Sequence, residues 1–195
     1  MKQISLGDGE LLYDPNFLSP EEADTYIHQL MEEIIWKQEE IKLFGKVHPL
    51  PRKTAWYGDK GITYTYSGLQ NQPERWSPTL LTLKERIENL LEGPTFNSVL
   101  LNWYRDGNDK MGWHSDDEPS LGRNPVIASI SLGAPRFFDL RHKKDKTRKH
   151  RLELTSGSLL VMQGELQHHW VHQVPVQKRV KEGRINLTFR DIKFP

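Results

Sequence analysis

Gly183-Arg184-Ile185-Asn186-Leu187-Thr188-Phe189-Arg190 alternates without a break. Successive side chains of a strand leave opposite faces. Ile185, Leu187 and Phe189 therefore point toward a core, and Arg184, Asn186, Thr188 and Arg190 point the other way. A solvated sheet face would alternate in the same way. Two arginines, an amide and a hydroxyl on one buried face would instead suit a dicarboxylate, because guanidinium meets carboxylate in planar, bidentate fashion. The arginines are about 20 Å apart along an extended strand, so they cannot serve the same oxygen pair. One would hold the far carboxylate and the other would sit nearer a metal or the substrate rim.

Six more β-rich runs precede this one: Asn97–Tyr104, Val126–Leu132, Arg136–Leu140, His150–Thr155, Ser158–Gln163 and His169–Val174. Gly, Pro, Asn and Asp separate them, and no helical period lies between. Such spacing predicts a sandwich or jelly roll. Further out, the pattern becomes helical. Ser19-Pro20-Glu21-Glu22 offers a cap, a proline for the first turn and a capping box, followed by apolar residues at helical spacing from Ala23 to Ile35. Ser77-Pro78 starts a second helix with Leu80, Leu83, Ile87, Leu90 and Leu91 on one face, and Gly93-Pro94 ends it.

Composition narrows the chemistry. The 195 residues suit one domain, and six Trp, six Tyr and seven Phe give the core volume. With no cysteine, disulfides, Cys-ligated zinc and thiol nucleophiles are excluded, so any metal must take His, Asp or Glu. No apolar run approaches the roughly 20 residues that span a bilayer, and Met1-Lys2-Gln3-Ile4 opens no signal peptide. A soluble protein of the cytoplasm, or of the nucleus in a eukaryote, is expected, with no membrane partner and as a monomer. Residues 1–40 carry ten acidic and two basic side chains, against a total of +1, so the remainder is basic by +9 and compatible with a polyanion.

His114-Ser115-Asp116 puts an imidazole and a carboxylate on one face of an extended segment, about 7 Å apart at Cα. His168, His169 and His172 are candidates for a third ligand. Two His and one carboxylate form the facial arrangement of non-heme Fe(II) oxygenases. Taken alone, the His-x-Asp pair is a weak signal and reads more readily as an exposed polar turn after Gly112. Asn102 and Tyr104 share a strand face and add an amide and a phenol.

Together Asn102-x-Tyr104, His114-x-Asp116, His172 and Arg184-x-Asn186-x-Thr188-x-Arg190 resemble the AlkB family of nucleic-acid dealkylating dioxygenases. Leu43-Phe44-Gly45-Lys46, Pro51-Arg52-Lys53, Tyr57-Gly58-Asp59, Thr63–Gly68 and Asp116-Asp117-Glu118 look most like its AlkB homologue 2 branch, which acts on double-stranded DNA. The resemblance implies an α+β, mainly β fold with a double-stranded β-helix core. Residues 1–95 would supply N-terminal helices and a nucleotide-recognition lid within the same domain, and residues 96–195 the catalytic core. It implies Fe(II) on His114, Asp116 and His172, 2-oxoglutarate on Asn102, Tyr104, Arg184, Asn186, Thr188 and Arg190, and O2 as oxidant, with Arg190 also among the catalytic set. It implies that Tyr66 stacks on a flipped base opposite His114, that Tyr64, Asp117 and Glu118 line the base pocket, and that Phe44, on a hairpin with Gly45 and Lys46, fills the vacated stack. Arg52 would contact the opposite strand. Tyr66 stands where the nearest relatives carry Phe.

The implied reaction hydroxylates the N-alkyl carbon of a base such as 1-methyladenine or 3-methylcytosine in DNA, with loss of formaldehyde, coupled to 2-oxoglutarate decarboxylation. Seven Lys or Arg in residues 141–151 suggest a backbone clamp, or a solvated loop. A dioxygenase for RNA, protein or a small molecule, a non-catalytic binder and a cupin-like metal protein are the competing readings.

Overall fold

The computed structural model describes residues 1–43, 45–62, 64–66 and 69–193, without the side chains of residues 42, 43, 64–66 and 69–71. In chain order the strands are β1 Lys2–Ser5, β2 Glu10–Asp14, β3 Glu40–Leu43, β4 Lys46–Pro49, β5 Lys53–Gly58, β6 Tyr64–Tyr66, β7 Leu69–Asn71, β8 Glu74–Arg75, β9 Ser98–Tyr104, β10 Met111–His114, β11 Ile127–Gly133, β12 Arg136–His142, β13 Lys149–Leu154, β14 Ser158–Gln163, β15 Trp170–Val174 and β16 Arg184–Arg190. The helices are α1 Pro20–Glu33, α2 Pro78–Leu91 and the short α3 Leu166–His169.

β16 lies inside an eight-stranded sheet of order β1-β2-β14-β11-β16-β9-β5-β8, facing a four-stranded sheet of order β10-β15-β12-β13. This is a jelly-roll core with a mainly β fold. The alternation of β16 has two destinations. Ile185, Leu187 and Phe189 join Val99, Leu101, Ala128, Ile130, Leu132, Leu159 and Val161 in a fully buried layer. The apolar faces of α1 and α2, through Ala23, Leu30, Leu80, Leu83 and Ile87, cover that layer. The opposite face of the large sheet turns inward, where Leu11, Tyr104, Leu160, Met162, Phe138, Leu140 and Trp170 fill the space between the sheets.

The helix starts follow from side-chain caps. Ser19 Oγ accepts the Glu22 amide at 3.2 Å while Glu22 Oε2 accepts the Ser19 amide at 2.8 Å. Ser77 Oγ accepts the Leu80 amide at 3.3 Å.

Two features depart from the sequence reading. Strands from before residue 96 enter the large sheet: β2 pairs with β14, and β5 pairs with β9. And His168 and His169 are not on a strand: the chain turns at Gly164, at φ 64, into α3, and extended structure resumes at Trp170. Among the described residues no helix is long and apolar enough to cross a membrane.

A candidate metal and dicarboxylate site

β10 and β15 are neighbours in the small sheet, and their antiparallel register sets His114 opposite His172. Asp116 follows just past the end of β10. The ligand atoms of His114, Asp116 and His172 lie within 4.8 Å of one another. His172 Nε2 is 4.0 Å from Asp116 Oδ2, and the two imidazole centroids are 4.2 Å apart. His114 Nδ1 is 2.8 Å from the Gly112 carbonyl. An Nδ1–H donated there leaves the Nε2 lone pair for a metal, the usual orientation of a ligating imidazole.

The electrostatics suit a cation. Asp116 is buried, which alone would raise its carboxyl, but the Arg190 guanidinium beside it holds it below the usual carboxylate range. Arg190 Nη2 donates to Asp116 Oδ1 at 2.9 Å. Burial, then proximity to His114, pushes His172 down to about 3, so its imidazole is neutral, as ligation requires. Of the three candidate third ligands the structure brings only His172 to this place. His168 Nε2 lies 2.9 Å from Asn124 Oδ1, and His169 pairs with Glu165 at 3.4 Å.

Asp8, His142 and His169 form a second cluster within 4.8 Å. The lone pairs of Asp8 and His142 are already used. Asp8 accepts from Arg148 at 2.8 and 2.9 Å and from Trp170 Nε1 at 2.8 Å. His142 Nδ1 accepts the Asp145 amide at 2.8 Å, so its proton sits on Nε2, aimed at Asp8 Oδ2 at 3.1 Å. This is a clasp holding the N-terminal turn to the jelly roll.

The polar half of the site lies on the inward face of the large sheet. β16 sets Arg184 opposite Tyr104 and Asn186 opposite Asn102 on β9, while β11 brings Ser131 opposite Asn186 and Ser129 opposite Thr188. Asn186 Nδ2 donates to Ser129 Oγ at 3.0 Å and Thr188 Oγ1 at 3.2 Å. Arg184 is 1% exposed. Its Nη2 donates to Ser131 Oγ at 2.8 Å and Asn186 Oδ1 at 3.2 Å. Its Nε and Nη1 have no acceptor among the described residues. Burial pushes this guanidinium down to about 10. A buried cation with two unused donors lacks an anion, and a carboxylate has the matching geometry. The donor set thus fits a dicarboxylate beside a divalent metal. Arg136, equally buried, also lies near the Tyr104 ring, at 5.6 Å from its centroid against 5.3 Å for Arg184. It donates to the carbonyls of Asp106, Asp109 and Pro175.

Residues 10–190 match the model of the 2OG-Fe(II) oxygenase superfamily. The chain belongs to that family. Among relatives of this oxygenase-family chain, rat (Rattus norvegicus) alpha-ketoglutarate-dependent dioxygenase alkB homolog 3 is 46% identical over 187 residues, 91% of this chain and 62% of the relative. Mouse (Mus musculus) DNA oxidative demethylase ALKBH2 is 43% identical over 181 residues, 88% of this chain and 75% of the relative. The chain therefore spans less than two thirds of the alkB homolog 3 relative. The solved structure of OsALKBH1 superposes with a TM-score of 0.67 at 20% identity, covering 93% of this chain and 97% of that one, a likeness of fold.

The remaining residues divide. Asp117 is half exposed and takes the Lys143 ammonium at 2.8 Å. Glu118 immediately precedes the short 3₁₀ turn Pro119–Leu121. Gly45, at φ 80, and Lys46 lie at the tip of the β3–β4 hairpin, whose second strand is exposed throughout. Phe44 lies outside the described residues, as do the side chains of Tyr64 and Tyr66. Arg52 is buried rather than available to a second strand, because its Nε donates to Asn102 Oδ1 at 2.7 Å and so fixes that amide. The basic stretch is not a free loop either. Lys143, Arg148 and Arg151 pair with Asp117, Asp8 and Asp139, leaving Lys144, Lys146 and Lys149 exposed.

The sequence reading missed Ser129, Ser131, Arg136 and Gln167. The first two were legible, since Ile127–Gly133 alternates and sets both serines on one face. The last two act on loop carbonyls and amides, which no pattern reports.

Proposed function

We propose that this chain is an Fe(II)- and 2-oxoglutarate-dependent dioxygenase that demethylates N-alkylated bases of the 1-methyladenine and 3-methylcytosine type in DNA, with duplex preferred. One observation carries the reading: three ligand atoms gather within 4.8 Å at the small sheet, two from its strands and one from just beyond β10, while the facing sheet buries an arginine with two unused donors. Bound iron and 2-oxoglutarate would supply oxidation of the alkyl carbon by O2, with loss of CO2.

The chain's own residues do the rest. His114, Asp116 and His172 hold the metal. Arg184 takes the far carboxylate, with the Tyr104 phenol beside it. Asn102, oriented by Arg52, and Asn186 with Thr188 line the path between, and Arg190 stands at the metal end on Asp116. The burial of these groups excludes water from the reacting carbon. Asp117, half exposed next to the metal ligand, would accept from a flipped base, and Tyr64 and Tyr66 would enclose that base. The exposed second strand of the β3–β4 hairpin supports a role for Phe44 as the wedge in a duplex. A DNA substrate would place the protein in the nucleus of a eukaryotic cell.

The test loads the protein anaerobically with Fe(II) and 2-oxoglutarate, admits air with duplex or single-stranded DNA containing 1-methyladenine, and follows the methyl by mass spectrometry. Methyl loss from wild type but not from Asp116→Ala supports the reaction, and a faster duplex rate supports the wedge. Consumption of 2-oxoglutarate with the methyl intact on both DNAs would remove DNA as substrate.

A further inference from the structure

Asp116 lies beyond the end of β10, where the sheet ladder no longer holds its backbone. Its amide donates instead to Gln167 Oε1 at 3.0 Å. Gln167 is 2% exposed, and its Nε2 faces Met162 Sδ at 3.6 Å. That environment fixes which way the amide points: a thioether accepts weakly, and turning the group over would set an NH2 against the Asp116 N–H. The residue is itself anchored. Its carbonyl accepts the Lys143 ammonium at 2.7 Å, and the same ammonium reaches Asp117 Oδ2 at 2.8 Å. The Lys143 amide donates to the His169 carbonyl at 2.7 Å, so the end of β12 is stitched to α3 at two points. One buried glutamine thus ties α3 to the backbone of the only carboxylate in the cluster, and one lysine ties the same turn to the next acid.

We infer that Gln167 is a positioning residue that sets the metal affinity of the His114–Asp116–His172 cluster by fixing the Asp116 backbone. The inference rests on the reading of that cluster as a metal site. Residues that orient a ligand without touching the metal change its affinity by about 10–100-fold when removed. Asp116 depends on such help more than the histidines do, because His114 and His172 sit in a hydrogen-bonded strand pair and Asp116 does not.

The experiment titrates Mn(II) alone into the full chain and reads free Mn(II) by electron paramagnetic resonance, with melting temperatures of the metal-free proteins alongside. Four proteins are compared: wild type, His114→Ala, Gln167→Leu and Gln167→Glu. Leu keeps the volume without an acceptor, and Glu keeps an oxygen at the same reach. The expected result is a 10–100-fold weaker Mn(II) site in Gln167→Leu, with Gln167→Glu within about threefold of wild type. A purely structural role would lower melting temperatures and leave Mn(II) affinity where it was, which overturns the inference. If Gln167→Leu does not fold, Gln167→Glu decides: its added negative charge can only favour a cation, so a tenfold loss there refutes positioning by an acceptor. Failure of wild type to bind Mn(II), or equal binding by His114→Ala, would instead remove the metal-site reading itself.

Discussion

Arg184→Met separates a binding role from a structural one, because the two make opposite demands. Burial holds the Arg184 guanidinium at about 10 against an ordinary 12.5, which corresponds to about 3 kcal/mol of destabilised charge at neutral pH. A base with a lowered folded-state pKa carries this penalty at every pH below about 10, so removing the charge relieves it. The same substitution leaves Ser131 Oγ and Asn186 Oδ1 without their donor, at about 1–3 kcal/mol. The two terms nearly cancel, and the metal-free variant should melt within about 4 °C of wild type. Ligand binding has no such compensation. Two charge-assisted hydrogen bonds from Nε and Nη1 disappear, together about 3–4 kcal/mol, so 2-oxoglutarate should bind roughly 10²–10³-fold more weakly. Calorimetric titration of 2-oxoglutarate into the Mn(II)-loaded protein measures this without turnover. Affinity within threefold of wild type would refute the anion assignment. A metal-free melting temperature more than about 10 °C lower would show that the arginine is there for the fold.

Lowering the pH from about 6.5 toward 3 should destabilise the metal-free protein, because the unfolded chain protonates His172 in that window and the folded chain does not; the slope should be shallower in His172→Asn and flat above 6.5, checked by melting temperature against pH. Asp8→Ala should cost about 1–2 kcal/mol, the charge-assisted bonds from Arg148 and Trp170 being partly screened at a residue 30% exposed, and denaturant titration reads it. Replacing Lys144, Lys146 and Lys149 together by Ala should lower the slope of log affinity for duplex DNA against log salt by about 2 to 3, at roughly 0.9 for each phosphate that the variant no longer neutralises. An unchanged slope would show that the exposed lysines are a solvated face.

What was legible in the sequence is what short-range physics dictates. The alternation of Arg184–Arg190 gave that strand's bounds as well as its two faces, since one polar face could not be buried against helices and had to line an interior. Ser19 and Ser77 gave the helix starts because a cap is a contact across three residues. His172 was separated from His168 and His169 by resemblance alone, because a strand period carried back through α3 wrongly sets His168 and His172 on one face. Long-range side-chain contacts were out of reach. Arg52 meets Asn102 across 50 residues, and the Asp116 amide meets Gln167 across 51. Likewise Lys143 and Arg148 read as free cations until their acids, Asp117 and Asp8, were placed beside them.

The charges of the site imply that metal and dicarboxylate bind together. Of the groups that would touch the two guests, Asp116 contributes one negative charge and Arg184 and Arg190 one positive charge each, ligating imidazoles being neutral, so they carry a net +1, to which the buried Arg136 adds the same charge in every state. A divalent cation alone raises this to +3, and a dicarboxylate dianion alone lowers it to −1. Both together return it to +1, so each guest cancels the field the other creates in a buried, low-dielectric space. The coupling should be about 1–3 kcal/mol, or 5–150-fold, and reciprocal: the factor by which Mn(II) tightens 2-oxoglutarate must equal the factor by which 2-oxoglutarate tightens Mn(II). Glutarate, which has both carboxylates but no 2-oxo group to chelate with, separates field from chelation. If the field argument is right, glutarate also tightens Mn(II), by less than 2-oxoglutarate does, and Arg184→Met abolishes its effect. If glutarate leaves Mn(II) affinity unchanged while 2-oxoglutarate raises it, the coupling is chelation alone, and the buried arginine serves only to orient the cosubstrate.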